Sequence, residues 1–333
     1  MQCLDPKFVW RNPNGGRVLF KPIEGRDFYD PDMLLPCGHC PACAMSKKKD
    51  TSLRLIHEME FWETGCTLTL TFDEAGLEAR AKDRDTPMKW SVYGSDISRF
   101  IKRLRAKLQY LHGKTPKFRF YGVGEYGAKT QRPHYHILIF GWSPHDLDTV
   151  GGTTLWTAGK SPQHRSAFIE SVWKKGLCTV DPTFTASSIA YVAGYVTKKL
   201  EHKRNNIART ALVNGKRTYT LPECHRASPG LGERWIRKHY KTVFTSPKRR
   251  IMNTTGKKPK AFAIPRYYYR KLEQYDPDLY ASVRLDQQET IEELDDWKLL
   301  HEDPEEWDNQ RLRRIDFVLY NIQKRQDQRD QEL

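Results

Sequence analysis

The chain has 333 residues, room for one large domain or two small ones, and carries 56 Lys+Arg against 41 Asp+Glu, a net charge of +15. That balance points to a polyanionic partner, most simply nucleic acid. No apolar run approaches the ~18 residues of a membrane span, no signal-peptide pattern opens the chain, and seven cysteines, an odd number, do not read as a disulfide scaffold.

Residues 1–45 read as irregular and hold Cys3, Cys37, Cys40 and Cys43. Cys37, Cys40 and Cys43 are each separated by two residues, a spacing that lets thiolates converge on Zn²⁺ with Cys3 as fourth ligand and His39 as a substitute. The other reading, a set of reduced structural thiols, stands beside it. Residues 46–62 predict a helix with Leu53, Ile56 and Met59 on its apolar stripe. Cys66 to Phe72 alternates polar and apolar residues strictly and predicts a strand. Residues 73–94 read as a polar excursion. Ser95 and Asp96 begin an amphipathic helix to about Leu111, its apolar positions Ile97, Phe100, Ile101, Leu104, Leu108 and Leu111. Arg99, Lys102, Arg103, Arg105 and Lys107 are interleaved there, either as a basic face for DNA or as an ordinary solvated one.

Phe118 to Gly127 and Arg132 to Gly141 predict two strands joined by a turn over Gly127 to Pro133. In a strand, residues i and i+2 point the same way, so His134 and His136 project from one face while Tyr135 enters the opposite layer. The hairpin brings Glu125 back beside them. Two imidazoles and a carboxylate form a three-ligand set suited to Mg²⁺ or Mn²⁺, and imidazole also suits Ni²⁺ and Zn²⁺.

Residues 142–166 read as a loop, Phe168 to Lys175 as a short helix and Gly176 to Val180 as a strand. Ser187 or Ser188 is the expected cap of a helix in which Tyr191, Tyr195 and Lys198 share one face. Two tyrosines at that spacing are also a core pattern; a lysine on the same face favours chemistry. A basic stretch, His202 to Arg217, and a short helix, Trp235 to Tyr240, follow. Tyr267, Tyr268 and Tyr269 read as packing aromatics. Residues 271–333 carry a net charge of −9, leaving +24 on the rest. This acidic tail is expected to be helical in pieces.

Three of these segments resemble the motifs of the HUH endonucleases, in the family's order. Thr67 to Phe72 is similar to its first strand, His134-Tyr135-His136 to its metal motif, and Tyr191 to Lys198 to its two-tyrosine motif, Tyr-x-x-x-Tyr-x-x-Lys. Pro36 to Cys43 and Val123-Gly124-Glu125-Tyr126-Gly127 add a resemblance to the rolling-circle replication initiators of microviruses, of the gokushovirus type. It covers roughly residues 1–245. Relatives often carry a lysine where this chain has Gly194, which leaves Lys198 as the helper lysine.

The resemblance implies an α+β fold: a central antiparallel sheet with flanking helices, a Cys-rich N-terminal segment and an acidic C-terminal extension. The implied organisation is 1–62 Cys-rich segment and helix, 63–245 endonuclease core, and 246–333 basic linker and acidic extension. It implies metal-dependent nicking of single-stranded DNA at an origin. Tyr191 or Tyr195 would form a 5′-phosphotyrosine, with Glu125, His134 and His136 holding the metal and Arg132 and Lys199 binding DNA. Host DNA polymerase and helicase, and the host bacterial cytoplasm, complete the picture. Two alternatives remain: an HUH transposase or relaxase, and a non-catalytic zinc-containing DNA-binding protein.

Overall fold

The alternating segments become strands because each buries one or both faces against helices. A computed structural model describes residues 3, 6–25, 33–38, 40–86, 88–114, 116–127, 130–147, 156–158, 161–195, 209–213, 216–246, 250–253, 260–287, 289 and 320. By internal contacts the chain divides into two units, Lys48–Lys271 and a second formed by Met1–Lys47 with Leu272–Leu333.

In chain order, β1 (Lys7–Val9) and β2 (Met33–Leu35) pair antiparallel. Irregular chain was expected there; strands this short leave no alternating pattern to read. Helix α1 (Pro41–Met59) starts earlier than the expected 46, with proline in the first turn, where its missing N–H costs nothing. Next come β3 (Gly65–Thr71), α2 (Glu74–Ala81), α3 (Gly94–His112), β4 (Arg119–Tyr126) and β5 (Pro133–Phe140). The short pair β6 (Trp156–Ala158) and β7 (Ser161–Gln163) lies inside the expected loop, followed by α4 (Ala167–Trp173), β8 (Cys178–Asp181) and α5 (Ala186–Tyr195). Then follow the hairpin β9 (Arg209–Val213) and β10 (Lys216–Thr220), β11 (Cys224–Ala227), α6 (Glu233–Thr245), the pair β12 (Arg250–Asn253) and β13 (Lys260–Ala263), and α7 (Arg266–Tyr275). Residues 277–287 are also helical. Most of the expected acidic extension lies outside the described residues.

Five strands form the central antiparallel sheet, in the order β11-β4-β5-β3-β8. The protein is therefore α+β, with β5 in the middle of the sheet. One sheet face packs Leu68, Leu70, Tyr135, Ile137 and Ile139 against Ile97, Phe100 and Leu104 of α3 and Ile169 and Trp173 of α4. The other packs Tyr121, Val123, Leu138 and Phe140 against Leu55 and Ile56 of α1 and Ile189, Val192 and Ala193 of α5. Burying each such side chain is worth about 1.5–3 kcal/mol.

Hydropathy also hid one helix. The polar excursion contains α2, capped by Asp73, whose carboxylate accepts from Gly76 N at 2.6 Å. Its buried surface includes the fully buried Arg80, so hydropathy alone missed it. As expected, α3 packs on the sheet, on the face opposite the histidines. Arg99 is paired with Asp83 and Asp85, and Arg103 donates to the carbonyls of Val172 and Trp173. Among the described residues no helix is long and apolar enough to cross a membrane.

Candidate active site

The register of the sheet assembles the site. Thr71 and Glu125 lie directly across from His134, and Thr69 and Val123 directly across from His136. Directly paired residues share a face, so three strands deliver Glu125, His134, His136 and Thr69 to one side. Tyr135 goes through the sheet to the other side, as its position between the histidines predicts. There its hydroxyl donates to Asp96 at 2.7 Å and accepts from Tyr93 N at 3.0 Å. Asp96 also pairs with Arg80 and Lys175, each at 2.8 Å, and the Asp96 carboxylate and Arg80 guanidinium are fully buried. Buried charges cost several kcal/mol each unless paired, so this cluster holds together as a unit and fixes the histidine strand from behind.

The alternation Gly122-Val123-Gly124-Glu125 follows from the same geometry. A Cβ on Gly122 would meet Ile97 at 2.9 Å, and one on Gly124 would meet the Tyr135 ring at 2.8 Å and Cys224 Sγ at 2.9 Å. Glycine on that face lets α3 and Tyr135 close up, while Val123 and Glu125 fill the histidine face.

Glu125 Oε1 lies 2.9 Å from His134 Nε2 and 3.3 Å from His136 Nε2. One ligand atom from each of the three residues falls within 4.8 Å of the others. The two rings stand nearly perpendicular, at 88°. Burial acts to raise the Glu125 pKa, but hydrogen bonds from the two histidines outweigh it and hold the carboxyl down at about 2. His134 Nδ1 faces the Arg132 carbonyl oxygen at 3.1 Å, and His136 Nδ1 faces Thr69 Oγ1 at 3.0 Å. Both ring nitrogens of His134 thus meet oxygens that only accept. Nδ1–H bonded to a carbonyl is the usual orientation of a metal-ligating histidine, and it would leave Nε2 to a cation. The donor set fits a divalent metal ion.

Helix α5 covers this same sheet face through Ile189, Val192 and Ala193. Its cap differs from the expected serines. The helix begins at Ala186, Thr185 Oγ1 accepts from Ser188 N at 3.3 Å, and Ser188 Oγ donates back to the Thr183 and Thr185 carbonyls. Tyr191 and Tyr195 are in the α5 backbone; their side chains, and Lys198 and Lys199 altogether, lie outside the described residues. Arg132 donates to the Phe72 carbonyl at 2.7 Å and pairs with Glu74.

In the other unit, Cys3, Cys37, Cys40 and Cys43 bring their sulfurs within 4.8 Å of one another. Backbone N–H groups of Cys37, Cys40 and Cys43 donate to Cys3, Cys37 and Cys40 sulfurs at 3.2, 3.3 and 3.5 Å. The Cys43 thiol is pushed up to about 12, first by burial and further by the Cys3 and Cys40 thiols. Four convergent cysteine sulfurs fit a tetrahedral metal ion, which would deprotonate them. His39 lies outside the described residues.

Thr69 was legible only as part of a threonine-lined strand; its bond to His136 depends on the β3–β5 register. Asp96 was read as a helix-start residue, yet it sits inside the first turn as a buried anchor. Nothing local to Asp96 in the sequence signals its three partners.

Residues 65–200 match the family model for replication-associated proteins of the ORF2 type, a span that holds the three-ligand set and α5. The chain is 29% identical to replication-associated protein VP4 of Bdellovibrio phage phiMH2K over 88% of its own length and 85% of that protein's. It is 30% identical to replication-associated protein ORF4 of Chlamydia phage 1 over 75% and 58%, and 26% identical to replication-associated protein ORF2 of Spiroplasma virus 4 over 87% and 87%. No solved structure matches the chain. The family model and the three phage relatives support a microvirus-type replication initiator.

Proposed function

We propose that this protein starts rolling-circle replication by nicking single-stranded phage DNA at an origin, through a covalent tyrosine intermediate, and later rejoins the strand. The observation that carries the reading is the convergence of Glu125, His134 and His136 on the sheet face covered by α5, the helix that contains Tyr191 and Tyr195. A divalent cation held by the three side chains would act as a Lewis acid on a non-bridging oxygen of the scissile phosphate. The protein's own residues do the rest. The hydroxyl oxygen of Tyr191 or Tyr195 bonds to phosphorus as the P–O3′ bond breaks. The phenolic proton passes to solvent or a base, and the departing oxygen becomes a free 3′-OH. Phenol has an ordinary pKa near 10 and needs activation, which Lys198 is suited to give.

The 3′-OH primes a host polymerase, with a host helicase opening the duplex in the host cytoplasm. After one circuit the second tyrosine cuts the regenerated origin, and the released 3′-OH attacks the first phosphotyrosine to close the circle. Phosphodiester energy is conserved in the covalent bond, so joining needs no ATP. The +24 charge on residues 1–270 supports non-specific phosphate binding, with Arg132 and Lys199 holding DNA near the site. The four cysteines hold a structural Zn²⁺ in this reading.

The test is cleavage of the phage's own single-stranded circle with Mg²⁺ or Mn²⁺. His134→Ala with His136→Ala is expected to lower cleavage at least ~100-fold while DNA affinity stays within about threefold, because metal chemistry and phosphate binding are separate contributions. Undiminished cleavage by the double variant would remove the metal assignment.

A further inference from the structure

Helix α5, Ala186–Tyr195, contains no Lys or Arg of its own. Gly194 lies three residues after Tyr191, on the same side of α5, and one before Tyr195, about 100° around the helix from it. Glycine inside a helix costs about 1 kcal/mol against alanine. A packing reason for it is visible. A Cβ built on the buried Gly194 would lie 3.0 Å from Lys48 Nζ and 3.4 Å from Lys48 Cε. The half-buried Lys48 comes from α1, which packs beside α5 on the histidine face through Leu55 and Ile56. An ammonium from another helix is therefore seated against the bare backbone one turn beyond Tyr191.

We propose that Lys48 supplies positive charge to the strand-cleavage reaction at the tyrosine helix, and that Gly194 is the gap that admits it. This rests on the nicking reading above and adds a residue to it. Its role is electrostatic: an ammonium there favours the phenolate form of the attacking tyrosine and offsets charge as the phosphate is attacked. It acts through the tyrosine, as a positioning residue, and is separate from Lys198, which follows on the tyrosine motif itself. A purely structural role competes with it. Gly194 is in the last turn of α5, where any cation interacts favourably with the helix dipole.

The experiment compares full-length wild type with Lys48→Met, Lys48→Arg, Gly194→Ala and Lys48→Met/Gly194→Ala. Covalent-adduct formation is followed in single turnover at saturating origin DNA, alongside DNA affinity and melting temperature. An opposite charge nearby shifts an acid by about one to three pKa units, so Lys48→Met should slow adduct formation about 10- to 100-fold. Its DNA affinity should stay within about threefold, and Lys48→Arg should recover most of the rate. Gly194→Ala should fold at least as stably and slow the reaction several-fold by displacing the ammonium. It should add nothing in the Lys48→Met background, because the two changes act on one contact.

Wild-type adduct formation with an unchanged rate in Lys48→Met overturns this proposal alone, and a lowered melting temperature would then mark Lys48 as a helix-end cation only. A slower rate explained wholly by weaker DNA binding also overturns it. If Lys48→Met does not fold, Gly194→Ala decides, and an unchanged rate there overturns it. Absence of any adduct with the wild-type chain overturns the nicking reading and this proposal together.

Discussion

At the scale of single residues, position in the pleat decides chemistry. His134 and His136 reach one face because they are two apart, and Tyr135 is spent on the Asp96 anchor behind them. That much followed from strand periodicity, as did Glu125 once the hairpin was recognised. The supporting contacts did not, because Thr69 and the Arg132 carbonyl depend on register and turn geometry rather than residue type. His57 gives a residue-scale prediction outside the site. It stacks on Trp235 at 3.6 Å, and its Nδ1 lies 2.7 Å from the Tyr268 hydroxyl. Burial, with His239 adding, lowers its pKa from 6.5 to about 3. Below pH 6.5 the unfolded chain takes up a proton that the folded chain refuses. Stability is therefore full above that pH and falls as pH drops toward about 3, by at most ~1.4 kcal/mol per unit from this group. Denaturant titrations from about pH 7 to about pH 4, inside that window, should show a flatter decline for His57→Gln than for wild type. Parallel declines would show that His57 charges freely in the folded state.

At the scale of elements, β4 shows why a glycine-rich strand is here a strong strand. Its two faces meet different neighbours, and glycine on one of them allows close packing that keeps Glu125 across from His134. Gly124→Ala puts a methyl group within 2.8 Å of the Tyr135 ring. Overpacking of this kind costs about 1–3 kcal/mol. A lower melting temperature together with weaker Mn²⁺ binding is expected, and calorimetry of both would check it. Stability and metal affinity equal to wild type would show that β4 and β5 have slack. The same logic explains which elements were legible. The amphipathic α3 was read nearly to its ends, because its apolar residues, Ile97 through Leu111, repeat at the helical period. Helix α2 was not, because it buries Arg80 and places Gly76 against the Lys175 carbonyl, features that look polar and helix-breaking in sequence.

At the scale of the whole molecule, the chain separates its tasks. The N-terminal cysteines cluster in one unit, and the three-ligand set with α5 belongs to the other. The cysteine spacing made the cluster legible, and Cys3, 34 residues before Cys37 and expected as the fourth ligand, lies with the other three. Purified protein should contain about one zinc per chain in that cluster, lost in Cys37→Ser/Cys40→Ser with a lower melting temperature. A zinc-free wild type of undiminished stability would mark these as plain thiols. Tyrosine-linked nicking can be read on one gel. An origin oligonucleotide labelled on the 3′ side of the nick is incubated with protein and Mn²⁺ and run under denaturing conditions. Label is expected on the wild-type chain, with some on Tyr191→Phe and on Tyr195→Phe, and none on the double variant. Label retained by the double variant would contradict it.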